Sequence, residues 1–172
     1  AFAQKDWMYT GQDQGGTKFS TLKQIDSTNV QKLGVAWTFH TGVKQQNEST
    51  SIVVNGVVYI AAPNGFFAID GVTGKELWRQ KYADFREGYK GVVAPQVMNG
   101  VLVSGMGGGD STTRGFIEGY DPDTGKRLWR TWTIPAPGEK GSETWPHATR
   151  PDAWKYGGGA TWQQASYDRE LG

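Results

Sequence analysis

The chain has 172 residues, a formal net charge of +1, 25 Gly, 8 Trp and no Cys. The charge balance gives no electrostatic pull toward nucleic acid or an anionic membrane surface. The lack of cysteine excludes disulfides and thiolate metal sites, and no stretch approaches the ~20 apolar residues of a membrane helix. Gly-rich turns with many aromatics fit an all-β propeller or barrel.

In chain order, Ala1-Phe2-Ala3 has the small-x-small form of a signal-peptide cleavage site, a form that chance also produces in so short a stretch. Residues 6–32 are polar with scattered aromatics, and Asp13-Gln14-Gly15-Gly16 predicts a turn. Ser27-Thr28-Asn29-Val30-Gln31-Lys32-Leu33 predicts a short helical turn capped by Ser27 or Thr28. Gly34 to Thr41 alternates as a strand would, with Trp37 inside it.

Two hairpin signals then follow and recur. Asn55-Gly56 joins Ser51-Ile52-Val53-Val54 to Val57-Val58-Tyr59-Ile60, and Asn99-Gly100 joins Gln96-Val97-Met98 to Val101-Leu102-Val103. Asn-Gly between β-branched runs predicts a type I′ turn. Ala68-Ile69-Asp70-Gly71-Val72-Thr73-Gly74-Lys75-Glu76-Leu77-Trp78 returns as Gly119-Tyr120-Asp121-Pro122-Asp123-Thr124-Gly125-Lys126-Arg127-Leu128-Trp129. In each copy Asp caps its own turn and Gly supplies a positive φ. The returning strand puts Leu77 and Trp78 on opposite faces, and the Trp is suited to dock between neighbouring sheets. Both pairs of signals recur after about 45 to 50 residues, the period of propeller blades. Each unit is therefore an Asn-Gly hairpin followed by an Asp-x-x-Thr-Gly-Lys hairpin, which gives the four strands of a blade.

Gln80 to Tyr89 is a polar connector between the units. After Trp132 the pattern breaks into a Pro-rich stretch, Pro135 to Asp152, which predicts a long ordered loop. Gly157-Gly158-Gly159-Ala160-Thr161-Trp162 follows, and Ala165-Ser166-Tyr167-Asp168 predicts a further blade strand. Two blades do not close a ring of typically four to eight. Residues 1–172 are thus expected to be part of one larger propeller, truncated or nicked and completed by sequence outside this chain.

These pieces together resemble the PQQ-dependent (pyrroloquinoline quinone) alcohol dehydrogenases. The opening Trp7, Gly11-Gln12-Asp13, Phe19-Ser20-Thr21-Leu22, Asn29-Val30, Leu33, Ala36-Trp37 and Thr41-Gly42 are similar to that family's N-terminus. Gly107-Gly108-Gly109-Asp110 with Arg114-Gly115 is similar to its cofactor and metal loop, and Glu143-Thr144-Trp145 and Gly157 to Trp162 to later loops. The resemblance covers nearly the whole chain. It implies part of an eight-bladed β-propeller holding PQQ with a calcium or lanthanide ion. It also implies periplasmic oxidation of alcohols, in some members sugars or aldehydes, by hydride transfer to the quinone. A cytochrome c or another acceptor would take the electrons.

The resemblance also assigns residues. Glu48 stands where the family hydrogen-bonds its quinone, the plain alternative being a solvated loop Glu. Gly107, Gly108 and Gly109 match the loop whose backbone approaches the quinone, and flexible turn glycines are the alternative. Asp110 matches the first metal carboxylate, usually Glu, and offers the oxygen that a hard cation requires; otherwise it is a turn Asp. Trp162 matches the Trp stacked on the quinone face, against the alternative of a blade-docking Trp. The chain departs from the family in four respects, one being that a family Arg on the segment after the disulfide is not identifiable here. It has no cysteine for the vicinal disulfide, Val92 or Val93 replaces a Thr before Ala94-Pro95, and the region between Trp78 and Tyr89 looks one blade short. The catalytic base is expected beyond Gly172, so no catalytic residue is assigned. His40 and His147 have no metal-ligand spacing and are expected on strand or loop surfaces. The competing reading is a non-catalytic propeller like the outer-membrane assembly lipoproteins, which need the hairpins but no metal loop and usually carry a lipidated Cys.

Overall fold

A computed structural model describes residues 6–168, 170 and 171, so the cleavage-like Ala1-Phe2-Ala3 lies outside the described residues. Eight strands form two four-stranded antiparallel sheets. The first comprises β1 (Ile52–Val54), β2 (Val57–Ala62), β3 (Gly65–Asp70) and β4 (Glu76–Gln80). The second comprises β5 (Gln96–Met98), β6 (Val101–Ser104), β7 (Phe116–Tyr120) and β8 (Arg127–Trp132). Each sheet runs in simple sequence order, as the repeated hairpins predict.

The turn chemistry explains why the units match. Asn55 and Asn99 adopt φ of 52° and 46°, and Gly56 and Gly100 both adopt 78°, the positive pair that a type I′ turn needs. In the second hairpin, Asp70 Oδ1 accepts the Val72 and Thr73 amides at 3.1 and 2.7 Å. Asp121 Oδ1 accepts those of Asp123 and Thr124 at 3.0 and 2.8 Å. These bonds hold both carboxyls below the usual aspartate value; the Thr73 hydroxyl is the larger cause at Asp70, and the Thr124 amide at Asp121. Even the register irregularity repeats, between Ala68 and Ile69 in one unit and Gly119 and Tyr120 in the other.

Tryptophan docking joins successive units. The Trp37 indole donates from Nε1 to Gly71 O at 3.1 Å, and Trp78 donates to Pro122 O at 2.8 Å. Both acceptors directly follow the turn Asp. The rings lie on Gly74 and Gly125, whose φ values are 72° and 70° and where a Cβ would stand 2.6 and 2.5 Å from the indoles. Only glycine satisfies both the backbone sign and the ring.

One apolar cluster fills the space between the sheets, with Phe66 and Tyr82 meeting Tyr120, Phe116, Leu102 and Met106. Fully burying side chains of this size contributes about 1.5–3 kcal/mol each. On the other face of β3, Phe67 and Ile69 are covered by Trp37 and Phe39. Buried beside the inter-sheet cluster lies Glu118, fully enclosed, paired with Arg130 at 2.5 Å and Arg127 at 3.1 Å. It also accepts the Tyr120 hydroxyl. Burial, then the Glu118 charge, pushes the Tyr120 phenol far up.

Three expected elements differ. The helical turn exists as a 3-10 turn at Val30–Lys32, but neither Ser27 nor Thr28 caps it. Instead Asp26 Oδ1 takes both the Thr28 amide and hydroxyl, at 2.7 and 2.6 Å, and so folds the approach upon itself. Residues 34–41 alternate correctly but form no strand, because no backbone neighbour among the described residues completes a ladder; the segment serves as a cover through Trp37 and Phe39. Residues 165–168 form no strand for the same reason. The long loop after Trp132 is present as expected, with 3-10 turns at Ser142–Thr144 and Ala153–Tyr156.

Candidate functional site

The glycine-rich segment after β6 is clamped by two other parts of the chain. On one side Lys90 and Gly107 exchange backbone hydrogen bonds at 3.1 and 2.8 Å. On the other, the Gly115 amide donates to Gly158 O at 2.7 Å and the Gly158 amide to Thr113 O at 2.9 Å. The Thr161 hydroxyl donates to Phe116 O at 2.7 Å. A side chain at Gly108 would run into Gly88 O, one at Gly105 into Thr161, and one at Gly109 would meet Ala160 Cβ at 3.1 Å. Gly107, Gly108 and Gly109 are therefore packed against this chain's own atoms, on Val92, Gly88 and Ala160 respectively.

Arg114 fastens the long loop to this clamp. Its guanidinium lies 4.3 Å from the Trp132 ring centre and 4.8 Å from that of Trp154. Its Nε donates to Ile134 O at 2.7 Å and it pairs with Glu139 at 2.5 Å. The Ala136 amide first, and then Arg114, hold the Glu139 carboxyl below its usual value. Such a stacked, forked arrangement suits arginine and not lysine. The sequence quotes Arg114 inside the loop motif without giving it a role; only the structure supplies one.

Beside the clamp opens a cleft of about 370 Å³ between β5, β6 and residues 160–165. Trp162 lines it and is 61% exposed. Val93, Ala94, Ser104, Thr161 and Gln164 share the lining, as does Gln96, which is only 2% exposed. Gln96 Oε1 and Gln164 Nε2 are buried and have no hydrogen-bond partner. Neither glutamine stood out in the sequence reading. The one signal was a polar residue opening the strand Gln96-Val97-Met98 directly after Pro95.

Of the sequence-assigned residues, Trp162 lines the cleft, and Glu48, Gly107, Gly108, Gly109 and Asp110 lie outside its lining. Gly109 touches Ala160, two residues before Trp162. The Ser49 hydroxyl donates to Val93 O at 3.3 Å, and the preceding Glu48 is exposed. Asp110 is exposed in the 3-10 turn Gly109–Ser111. An aromatic wall, a 370 Å³ volume and unpartnered amide groups fit a planar heteroaromatic cofactor. A metal fits less well. No group of three or more His, Cys, Asp or Glu gathers among the described residues, whereas a hard cation takes about six to eight oxygens. His40 is exposed as expected, while His147 is half-buried with both ring nitrogens enclosed and unpartnered.

Comparison with known proteins gives a consistent picture. The sequence model of the PQQ family (glucose/ethanol/alcohol dehydrogenase, beta-propeller domain) matches residues 7–92 and 82–172. Quinohemoprotein alcohol dehydrogenase ADH IIB of Pseudomonas putida is 31% identical over 228 residues, covering 96% of this chain and 33% of its own length. The lanthanide-dependent methanol dehydrogenase of Methylacidiphilum fumariolicum is 27% identical, covering 96% of this chain and 38% of its own. The solved structure of quinohemoprotein alcohol dehydrogenase ADHIIG from Pseudomonas putida HK5 superposes with a TM-score of 0.64 at 30% identity, over 97% of this chain and 33% of that one. The chain thus spans about a third of the length of the curated relatives it matches. The matched span of 228 residues also exceeds the 172 of the chain, so the relative carries residues inside it that this chain lacks.

Proposed function

The chain belongs to the PQQ β-propeller family of glucose, ethanol and alcohol dehydrogenases, and from that premise we propose that it forms the N-terminal segment of a periplasmic quinoprotein that oxidises primary or secondary alcohols. Sequence outside this chain completes the propeller and supplies the catalytic base. The observation that carries the reading is Trp162, a largely exposed indole on the wall of a cleft that also takes in Ala160, on which Gly109 packs.

Four groups of this chain serve the cofactor. Trp162 stacks on the ring and fixes its plane. The clamp between residues 105–115 and 157–161 holds that wall rigid, since backbone hydrogen bonds and glycine contacts leave it little room to shift. Gly107, Gly108 and Gly109, without side chains, present their backbone to the cofactor. Glu48 accepts a hydrogen bond from the cofactor; a carboxylate beside an anionic quinone needs a donor or a positive neighbour to stay charged. When bound, PQQ supplies the two-electron acceptor for the alcohol's hydride. Asp110 offers one oxygen to a calcium or lanthanide ion, and a single carboxylate is not a site; the remaining donors belong outside this chain. A cytochrome c is the proposed electron acceptor, the partner that the name of the Methylorubrum extorquens relative, methanol dehydrogenase [cytochrome c] subunit 1, carries.

The test is titration of the full-length protein with PQQ and calcium, followed by the quinone absorption band and tryptophan fluorescence. Saturable binding that weakens at least tenfold in Trp162→Ala is the expected result. No binding by the wild-type protein under these conditions, or binding indifferent to Trp162, overturns the reading.

A further inference from the structure

Gln96 is the most deeply enclosed polar side chain in the Trp162 cleft, and its Oε1 has no partner. A buried amide oxygen without a hydrogen bond is rare in folded proteins and destabilising. Gln164, in the lining segment that carries Trp162, repeats the situation, because its Nε2 is buried and unpartnered while its Oε1 accepts the Thr10 hydroxyl. That bond fixes which end of the Gln164 amide faces away. Two neutral amide groups, one with an unpartnered acceptor and one with an unpartnered donor, thus line a cleft together with an indole, and both also border a cavity of about 790 Å³ beside Tyr9, Asp13 and Asp168.

We infer that Gln96 and Gln164 are cofactor-binding residues that grip the neutral polar edge of the ring stacked on Trp162. The inference rests on the quinoprotein reading above and adds to it the residues that orient the ring within its plane. The chemistry selects the edge. An amide oxygen repels an ionised carboxylate and accepts from a ring N–H, and an amide N–H donates to a ring carbonyl. Stacking alone leaves the ring free to rotate on the indole, and two directional hydrogen bonds remove that freedom. The opening of Gln96 directly after Pro95 places this group at the start of β5, where the strand backbone holds it against the cleft floor.

Gln96→Met is the informative substitution, since methionine keeps the chain length and removes the amide. Two effects of opposite sign are expected in the full-length protein. Without cofactor the variant melts higher than wild type, because an unpartnered buried amide is gone. With PQQ and calcium it binds about 5- to 10-fold more weakly, the loss of one ordinary hydrogen bond. Gln164→Met shows the same binding loss. Unchanged PQQ affinity in Gln96→Met overturns the inference, as does a lower melting temperature without cofactor, since that assigns the amide a structural partner. Trp162→Ala run alongside separates the two readings. If Trp162→Ala weakens binding and Gln96→Met does not, the glutamine assignment alone fails. If neither variant alters binding, the cleft itself is not the cofactor site.

Discussion

At the scale of single residues, one glycine from an Asn-Gly turn and one from a Thr-Gly turn show how sequence, backbone and packing converge. Gly100 and Gly125 both have positive φ, 78° and 70°, but Gly100 faces open space and Gly125 carries the Trp78 ring. Left-handed backbone costs an L-residue roughly 1–2 kcal/mol. Gly100→Ala should therefore lose about 1 kcal/mol, and Gly125→Ala at least twice that, because the new methyl meets an indole as well. Urea midpoints of the two variants measure the difference directly. The neighbouring aspartates carry a pH signature. Asp70 and Asp121 are held below 3.8 when folded, so the unfolded chain takes up their protons first. Their contribution is complete above about pH 4 and is lost as pH falls through the depressed folded values. Asp70→Asn keeps a side-chain oxygen for the two turn amides but does not titrate. The expected outcome is a smaller drop in melting temperature between pH 5 and pH 3 than in wild type, measured by circular dichroism.

At the scale of the elements, much of the architecture is legible because local chemistry decides it. Asn-Gly and Asp-x-x-Thr-Gly turns fix hairpin register through backbone sign and capping, and the eight strands follow. The strand expected at 34–41 is illegible for the opposite reason. Its alternation is real, but a ladder needs a partner that local sequence does not specify, and residues 37–39 lie on sheet one as a cover. The site is legible in part. Trp162 and the glycine loop carry distinctive spacing, whereas Gln96 and Gln164 become notable only once three-dimensional burial leaves their amides unpartnered. Glu118 is a similar case: it looks like an ordinary strand residue, yet it is fully buried between Arg127 and Arg130. The Arg130 guanidinium also stacks 4.0 Å from the Phe116 ring centre and donates to Tyr82 O, which ties sheet two to the end of sheet one. Removing one member of a buried ion pair typically costs about 3–5 kcal/mol. Glu118→Ala should fall in that range, and the double variant Glu118→Ala/Arg130→Ala should lose less than the sum of the single losses. A denaturation cycle over the four proteins tests this, and simple additivity would show that the cluster is not acting as one unit.

At the scale of the whole molecule, the interfaces between units are interchangeable. The family model meets the chain twice, over 7–92 and 82–172, and the stretches share only the connector around residues 82–92. Relatives carry additional residues within the span they share with this chain. Yet Trp78 meets the turn of sheet two as Trp37 meets the turn of sheet one, with Nε1 on the carbonyl after the Asp and the ring on the Gly. Nearest-neighbour contacts of this kind let a repeat array tolerate loss of a unit, because each interface needs only a Trp and a turn. The series then specifies what Trp129 is for. It occupies the same place in its unit as Trp78, is 39% exposed, and has no hydrogen-bond partner for its indole among the described residues. In the completed propeller proposed above, it would dock on a third such turn. Trp129→Ala in the full-length protein should then cost about as much as Trp78→Ala, roughly 3 kcal/mol for truncating a docked Trp. In a polypeptide limited to residues 1–172 the same substitution should cost less, because there the indole keeps its packing on Gly119 but gains no second turn, while Trp78→Ala keeps its full effect. Equal losses for Trp129→Ala in the two lengths of protein would mean that its indole already has its partner within this chain.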